Sequence, residues 1–460
     1  MSHPAAGALK APGAYAAAVS GGELFGALFV PDAMRDAVGD RAWIGAMLRF
    51  EAALAAAEAA ADLLPGDAAE AIAAACEPDR FDAAALGRAG RDAGNPAAPL
   101  VAELTAAVGG EAARHVHRGA TSQDVMDTAA MLVTRDALAV LDGSLRAVAE
   151  ACARLADEHR GTLMAGRTLL QQALPVTFGL KAAGWLDAVL DARDRLAGVP
   201  LAVQLGGAAG TLAALGGDGP RVVALLAEGL GLEEPALPWH TARARVAEIG
   251  AALAIAAGVL DKIALDVVLL AQTEVAEVAE AGGAGRGGSS TLPHKRNPVA
   301  AARARACARR VRADVSVLLD AMPQEHERAA GAWQAEWEAL SGALAYAGGA
   351  ADAVRESLAA LEVHPGAMRA NLERTGGLVM AEAVSTALAA KAGRAEAHDA
   401  VAAAARRAGD SGRSLRDELR DDPRVELSAE ELDRALDPAG YLGAADELID
   451  RALARFREEP

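Results

Sequence analysis

VAEIGAALAIAAGVLDKIALDVVLLAQTEVAEVAEA, residues 246–281, reads as one helix spanning roughly 50 Å at 1.5 Å per residue. Its apolar side chains, Ile249, Leu253, Ile255, Val259, Leu260 and Ile263 among them, fall on every side of the helix. A helix that is apolar all round has to be enclosed by others, so the stretch predicts the interior of a bundle. Residues 124–159, 176–197, 298–319 and 335–361 continue the pattern with few breakers. No alternating strands and no tandem repeat are found. The expected fold is all-α, an elongated central helix bundle flanked by two smaller helical domains. Residues 1–20 read as a loose extension. Residues 21–113 read as an N-terminal helical domain with breakers at Pro31, Pro65, Pro78 and Pro96. The bundle takes 114–361, and a C-terminal helical domain follows over 362–460, opening at His364-Pro365-Gly366.

Hydrophobic residues make up 52% of the 460 positions but aromatics only 3%, so alanine carries much of the apolar content. Alanine favours helix and lets helix axes approach closely. The formal net charge of −18 argues against a nucleic-acid or acidic-membrane surface. An anionic substrate would then need a local basic island. Cys76, Cys152 and Cys307 lie far apart without ligand-like spacing, which predicts no disulfide framework and no metal site. There is no signal-peptide pattern and no apolar run of membrane-spanning length, so the expectation is a cytoplasmic protein. Long apolar helices that one chain cannot cover predict a homo-oligomer.

The chemistry concentrates in Gly287-Gly288-Ser289-Ser290-Thr291-Leu292-Pro293-His294-Lys295-Arg296-Asn297-Pro298. A run of glycines leads into a segment stiffened by two prolines, the pattern of a lid that carries catalytic groups over 282–298. Lys295, the Asn297 amide and backbone N–H groups suit a carboxylate whose charge grows in a transition state. Ser289 or Ser290 suits a base acting on a C–H beside that carboxylate. A phosphate loop is excluded, because no Gly-Lys-Ser/Thr ending follows the glycines. The length and chemical mixture of the segment outweigh its reading as a solvated linker.

A second cluster, His117-Arg118-Gly119-Ala120-Thr121-Ser122-Gln123-Asp124, stands just before a long helix. Ser122 or Asp124 can cap that helix. Capping alone leaves the density of polar groups and the His117 imidazole unexplained, whereas hydroxyls at a helix N-terminus make a carboxylate site. A third cluster runs from Gly166-Arg167-Thr168-Leu169-Leu170-Gln171 to Pro175. A fourth, Gln324-Glu325-His326-Glu327-Arg328, precedes Trp333 and Trp337, which read equally as core packing. His240, Arg243 and Arg245 follow Pro238-Trp239 as candidate cations. A helix-start histidine and a solvated arginine face are the plainer readings, and the latter is preferred for Arg245. The Gln204–Thr211 turn is a poor dinucleotide match, with no strand before it.

The Ser289 segment resembles the G-S-S-x-M-P-x-K-x-N signature of the fumarase/aspartase superfamily, with Leu292 in place of Met. The His117 segment is similar to its H-x-G-x-T-S-x-D motif. The resemblance implies reversible β-elimination at a carboxylate, Ser289 as the base, and Thr121, Ser122 and His117 on a substrate carboxylate. It also implies a homotetramer with sites shared between subunits, and no metal or organic cofactor. Fumarases and adenylosuccinate lyases carry a functional His at the position of Leu169. Adenylosuccinate lyases carry a phosphate-binding Ser and Arg at the positions of Trp333 and Trp337. The Leu169 departure separates branches of the superfamily, and the two tryptophans weigh against a nucleotide substrate.

The Gln324–Arg328 and Trp333–Trp337 clusters, Phe50-Glu51-Ala52-Ala53-Leu54-Ala55, Ala93-Gly94-Asn95-Pro96 and the ending around Asp437-Pro438 resemble the bacterial cycloisomerase branch. That branch closes a small unsaturated tricarboxylate to a lactone in aromatic catabolism. The resemblance implies Ser289, Lys295 and His117 as catalytic groups. It also implies Thr121, Ser122, Gln171, Asn297, Ser290, Arg328, His240 and Arg243 as substrate-binding groups. Ala242 and Ala244 depart from the pattern, where Gln and Asp are expected. They leave open a lyase acting on another small substituted succinate. A non-catalytic helical protein that keeps an enzyme scaffold is the alternative of another class.

Overall fold

The computed structural model describes residues 22–281, 292 and 295–458. Its described residues form eighteen α-helices, five short 3-10 turns and two small two-stranded sheets. The chain folds as two compact units. One comprises Met1–Gly143, Arg195–Gly258 and Ala306–Ala350; the other comprises Ser144–Asp194, Val259–Arg305 and Ala351–Pro460. Among the described residues no helix is long and apolar enough to cross a membrane.

The prolines that punctuate the N-terminal region sit at helix starts. Pro31, Pro65 and Pro96 directly precede Asp32–Val38, Gly66–Ala75 and Ala97–Val108, and Pro78 opens a 3-10 turn. At a helix start the missing N–H costs nothing. Between the first two prolines also runs Asp40–Ala60, a helix of 21 residues. It buries Met47, Leu48, Phe50 and Leu54 in the first unit. Also in that unit, a Cβ on Gly349 would collide with the Phe29 carbonyl, and one on Gly348 would meet the Met34 side chain. This glycine pair in Ala332–Ala359 admits the Phe29–Met34 backbone against the helix.

The long helices are Ser122–Glu158, Phe178–Ala197, Ala244–Leu270, Val299–Asp320 and Ala332–Ala359. The third stops short of the single helix expected over 246–281. After Leu270 the chain turns, Ala276 takes a φ of 53°, and Val278–Glu280 pairs antiparallel with Leu361–Val363. The apolar period ends at Leu270, and Glu277 beyond it is fully buried on polar partners. In the second unit Leu163–Thr168 and Gln171–Thr177 form a hairpin, mostly between the helices expected over 124–159 and 176–197, where no strands were expected. Near the C-terminus of that unit, Val384, Leu388, Val401, Leu415 and Leu419 form a core of their own.

Candidate functional site

In the first unit the polar segment 117–124 is held by one carboxylate. Asp124, fully buried, accepts from the N–H groups of Thr121 (2.9 Å), Gly206 (2.9 Å) and Gly207 (3.0 Å). Its Oδ1 also lies 2.7 Å from His240 Nε2. The bond back to Thr121 is half of a capping box at the start of Ser122–Glu158, so the capping reading is realised through Asp124. The other bonds fix the Gly206-Gly207 turn. A Cβ on Gly206 would strike His240 and Pro238, and Gly207 has a φ of 70°. Glycine is what lets that turn approach.

Arg328 reaches the same place. It donates from Nε to Gln123 (3.2 Å), from Nη1 to the Thr121 hydroxyl (3.2 Å) and from Nη2 to the Ala208 carbonyl (3.1 Å). These partners are all uncharged, so the half-buried guanidinium keeps its positive charge beside Thr121. His117, with a φ of 58°, places Nδ1 2.7 Å from Oε1 of the buried Glu51. Burial pushes the His117 imidazolium down. The Glu51 hydrogen bond and charge, with Asp124 and Glu58 beyond, outweigh it and leave the ring above its ordinary value. Thr121 and Ser122 are half-buried at the helix start. The Arg328 guanidinium, a histidine held toward its protonated form, two hydroxyls and a helix N-terminus thus come together in one unit, a set that suits a carboxylate.

His240 and Arg243 are committed inward. Arg243 gives Nη1 and Nη2 to Asp127 (2.7 and 3.0 Å) and Nε to Glu336 (3.0 Å), and it is 3% exposed. Asp127 accepts further bonds from Trp333 Nε1 and Gln204 Nε2. Trp333 is therefore a buried donor, packed edge-to-face on Trp337 at 4.9 Å. Arg245 lies over the Trp239 ring.

In the second unit Arg167 grips Glu277 through both terminal nitrogens (2.9 and 2.6 Å), and Asn371 donates to the same carboxylate. Gln171 is exposed at the end of the hairpin, opposite Thr168. Leu169 and Leu170 form its tip with φ of 49° and 67°, and Leu169 is 97% exposed. Lys295 is exposed and Asn297 half-buried. Arg296, between them, pairs with Glu362 and bonds the Glu280 carbonyl. Glu280 in turn caps Val299–Asp320 through the N–H groups of Ala300 and Ala301. Signature positions 287–291, 293 and 294, Ser289 and Ser290 among them, lie outside the described residues.

Glu58, Asp127 and Glu277 were not singled out in the sequence, and Glu51 and Glu336 entered only as members of quoted stretches, without a role. The available signal was two glutamates two helical turns apart within an apolar helix, a placement that needs partners.

Residues 30–313 match the family described as Lyase, and residues 377–452 match the family described as Adenylosuccinate lyase C-terminus. A 3-carboxy-cis,cis-muconate cycloisomerase of Pseudomonas aeruginosa is 50% identical over 95% of this chain and 97% of its own length. A nitrosuccinate lyase of Streptomyces davaonensis is 48% identical over 91% of each. The crystal structure of the 3-carboxy-cis,cis-muconate lactonizing enzyme of Pseudomonas putida superposes with a TM-score of 0.90 at 47% identity. It covers 95% of this chain and 99% of that one. The chain belongs to this lyase family, the fumarase/aspartase superfamily, and has its all-α fold.

Proposed function

We propose that this chain is an intramolecular lyase that closes 3-carboxy-cis,cis-muconate to 4-carboxymuconolactone, in protocatechuate degradation. The observation that carries the reading is near-full-length similarity, at 50% identity, to a protein of that activity. One substrate carboxylate oxygen adds to a C=C bond, and a proton drawn from solvent through the enzyme joins the neighbouring carbon, so the ionised substrate takes up one proton and loses no group. In reverse, a C–H beside a carboxylate loses its proton and the lactone C–O bond breaks. Ser289 is the proton-transferring group at that carbon. Lys295 and Asn297 stabilise the enediolate-like charge that builds on the adjoining carboxylate. His117, Thr121, Ser122 and Arg328 hold a second carboxylate. The leaving group in reverse is a carboxylate, far less basic than an alkoxide or amine, so Leu169 in place of an imidazole leaves the step workable. The working form is a cytoplasmic homotetramer with sites shared between subunits.

The test adds purified protein to 3-carboxy-cis,cis-muconate and follows loss of the conjugated-diene absorbance, with fumarate and adenylosuccinate alongside. Loss with the muconate alone supports the reading. Ser289→Ala should abolish turnover while leaving the circular-dichroism helicity unchanged; an active variant would assign the proton to another group. The second reading is elimination of a substituent from a small substituted succinate, favoured by the 48% identity to a nitrosuccinate lyase. Exposed Ala242 and Ala244, where the resemblance expects Gln and Asp, favour it as well. An inert muconate together with fumarate and nitrite formed from nitrosuccinate would select it.

A further inference from the structure

Glu51 and Glu58 stand two turns apart on the Asp40–Ala60 helix, hence on one face, and both are buried. Glu51 Oε1 meets His117 Nδ1, whereas Glu51 Oε2 and both oxygens of Glu58 have no hydrogen-bond partner among the described residues. Two adjacent buried carboxylates with one hydrogen-bond partner between them do not both ionise readily. Burial, opposed by Arg118 and reinforced by Glu51, pushes Glu58 up to about 7. The charged groups acting on the imidazole are Glu51 and Glu58 from this helix and Asp124 from Ser122–Glu158. Arg118, next to the ring in the chain, acts on Glu58. The Cys76 thiol, pushed up to about 12 by burial and Glu51, stays neutral.

A neutral imidazole with its proton on Nδ1 would present the Nε2 lone pair to an incoming carboxylate and repel it. An imidazolium presents Nε2–H and attracts it. We infer that Glu51 is a positioning residue whose carboxylate fixes the His117 ring with Nδ1–H turned inward and keeps it as an imidazolium, so that Nε2–H is offered to a substrate carboxylate. This rests on the reading that His117 meets substrate. Among the described residues the hydrogen bond of the Glu51 carboxylate is to the ring.

The experiment compares the assembled wild-type enzyme with Glu51→Gln. Diethyl pyrocarbonate attacks neutral imidazole, so its rate at His117, followed by peptide mass from about pH 5 to about pH 9, reports the ring's charge. The wild-type midpoint should lie above the ordinary imidazole value, and the variant's below that of the wild type. In parallel, KM for 3-carboxy-cis,cis-muconate should rise about tenfold at neutral pH in the variant. Acidification should restore it, and kcat should change little. A wild-type midpoint below the ordinary value overturns the inference even if the variant fails to fold. Equal midpoints in the two proteins overturn it, as does a KM increase of the same size at every pH. A lowered midpoint with unchanged KM removes His117 from the substrate and so overturns the carboxylate role. If the muconate is not turned over at all, the function reading falls while the modification arm still decides whether Glu51 sets the ring's charge.

Discussion

The Asp124 carboxylate joins segments that are far apart along the chain, taking N–H bonds from residues 82 and 83 positions away and facing His240 at 116. Replacing it by an amide of the same shape removes the buried charge and turns an N–H group toward donors. Asp124→Asn should therefore cost about 3 kcal/mol of stability, read from the urea midpoint. It should also raise KM, because the Thr121 segment loses its anchor. A midpoint within error of wild type would show that the bonds, not the charge, hold the turn. The motif itself was legible in sequence, because its hydroxyls, histidine and aspartate are contiguous. Its anchors were not: Glu51 is 66 positions from His117, and only folding makes them neighbours. Arg243, read as a candidate ligand cation, proves to be bound on two sides by Asp127 and Glu336 at similar distances in sequence. Glu58 gives a pH signature of its own. Its folded value of about 7 lies above the unfolded 4.5. The stability it contributes is complete below the unfolded value, fades between the two and is gone above the folded one. Glu58→Gln cannot ionise, so from pH 5 to pH 8 its stability relative to wild type should improve by about 2 kcal/mol. Urea titrations at the two pH values test this, and a constant difference would mean that Glu58 is solvated.

Helix existence was well marked in the sequence and helix ends less so. The long apolar stretch overran by the turn after Leu270, because alanine and valine continue through residues 271–281 and resemble helix locally. Only pairing with Leu361–Val363 and the bonds to Glu277 draw those residues into a strand. The hairpin was hidden for a related reason. Two-residue turns with positive φ at both positions normally carry Asn or Gly, and here both are leucine. At the glycine pair, one collision is with the Phe29 backbone and the other with the Met34 side chain. Gly349→Ala should therefore lose about 2 kcal/mol despite the gain in helix propensity. Gly348→Ala should lose less, since its clash is with side-chain atoms of Met34 rather than with backbone. Thermal unfolding of the two variants side by side checks the order. Equal losses would indicate that the Phe29 carbonyl gives way as readily as the methionine.

Over the whole molecule the charge balance opposes the proposed substrate. The chain carries −18, and a tricarboxylate approaching it is repelled at long range. At short range the balance reverses, because Arg328 keeps an uncompensated charge among neutral partners and His117 is held toward its protonated form. Screening separates the two ranges, since the Debye length shrinks from about 30 Å at 0.01 M salt to about 10 Å at 0.1 M. Contacts in a partly buried site survive that change, whereas repulsion by the body as a whole does not. Raising the salt from about 0.01 to about 0.1 M should therefore increase kcat/KM roughly twofold through faster encounter. Further salt, approaching 1 M and a Debye length of about 3 Å, should reverse the gain as the site's own contacts weaken. Initial rates at limiting substrate across that range test it. A steady fall from the lowest salt upward would mean that the basic island already governs the approach of the substrate, and that the acidic surroundings lie too far from its path to be felt.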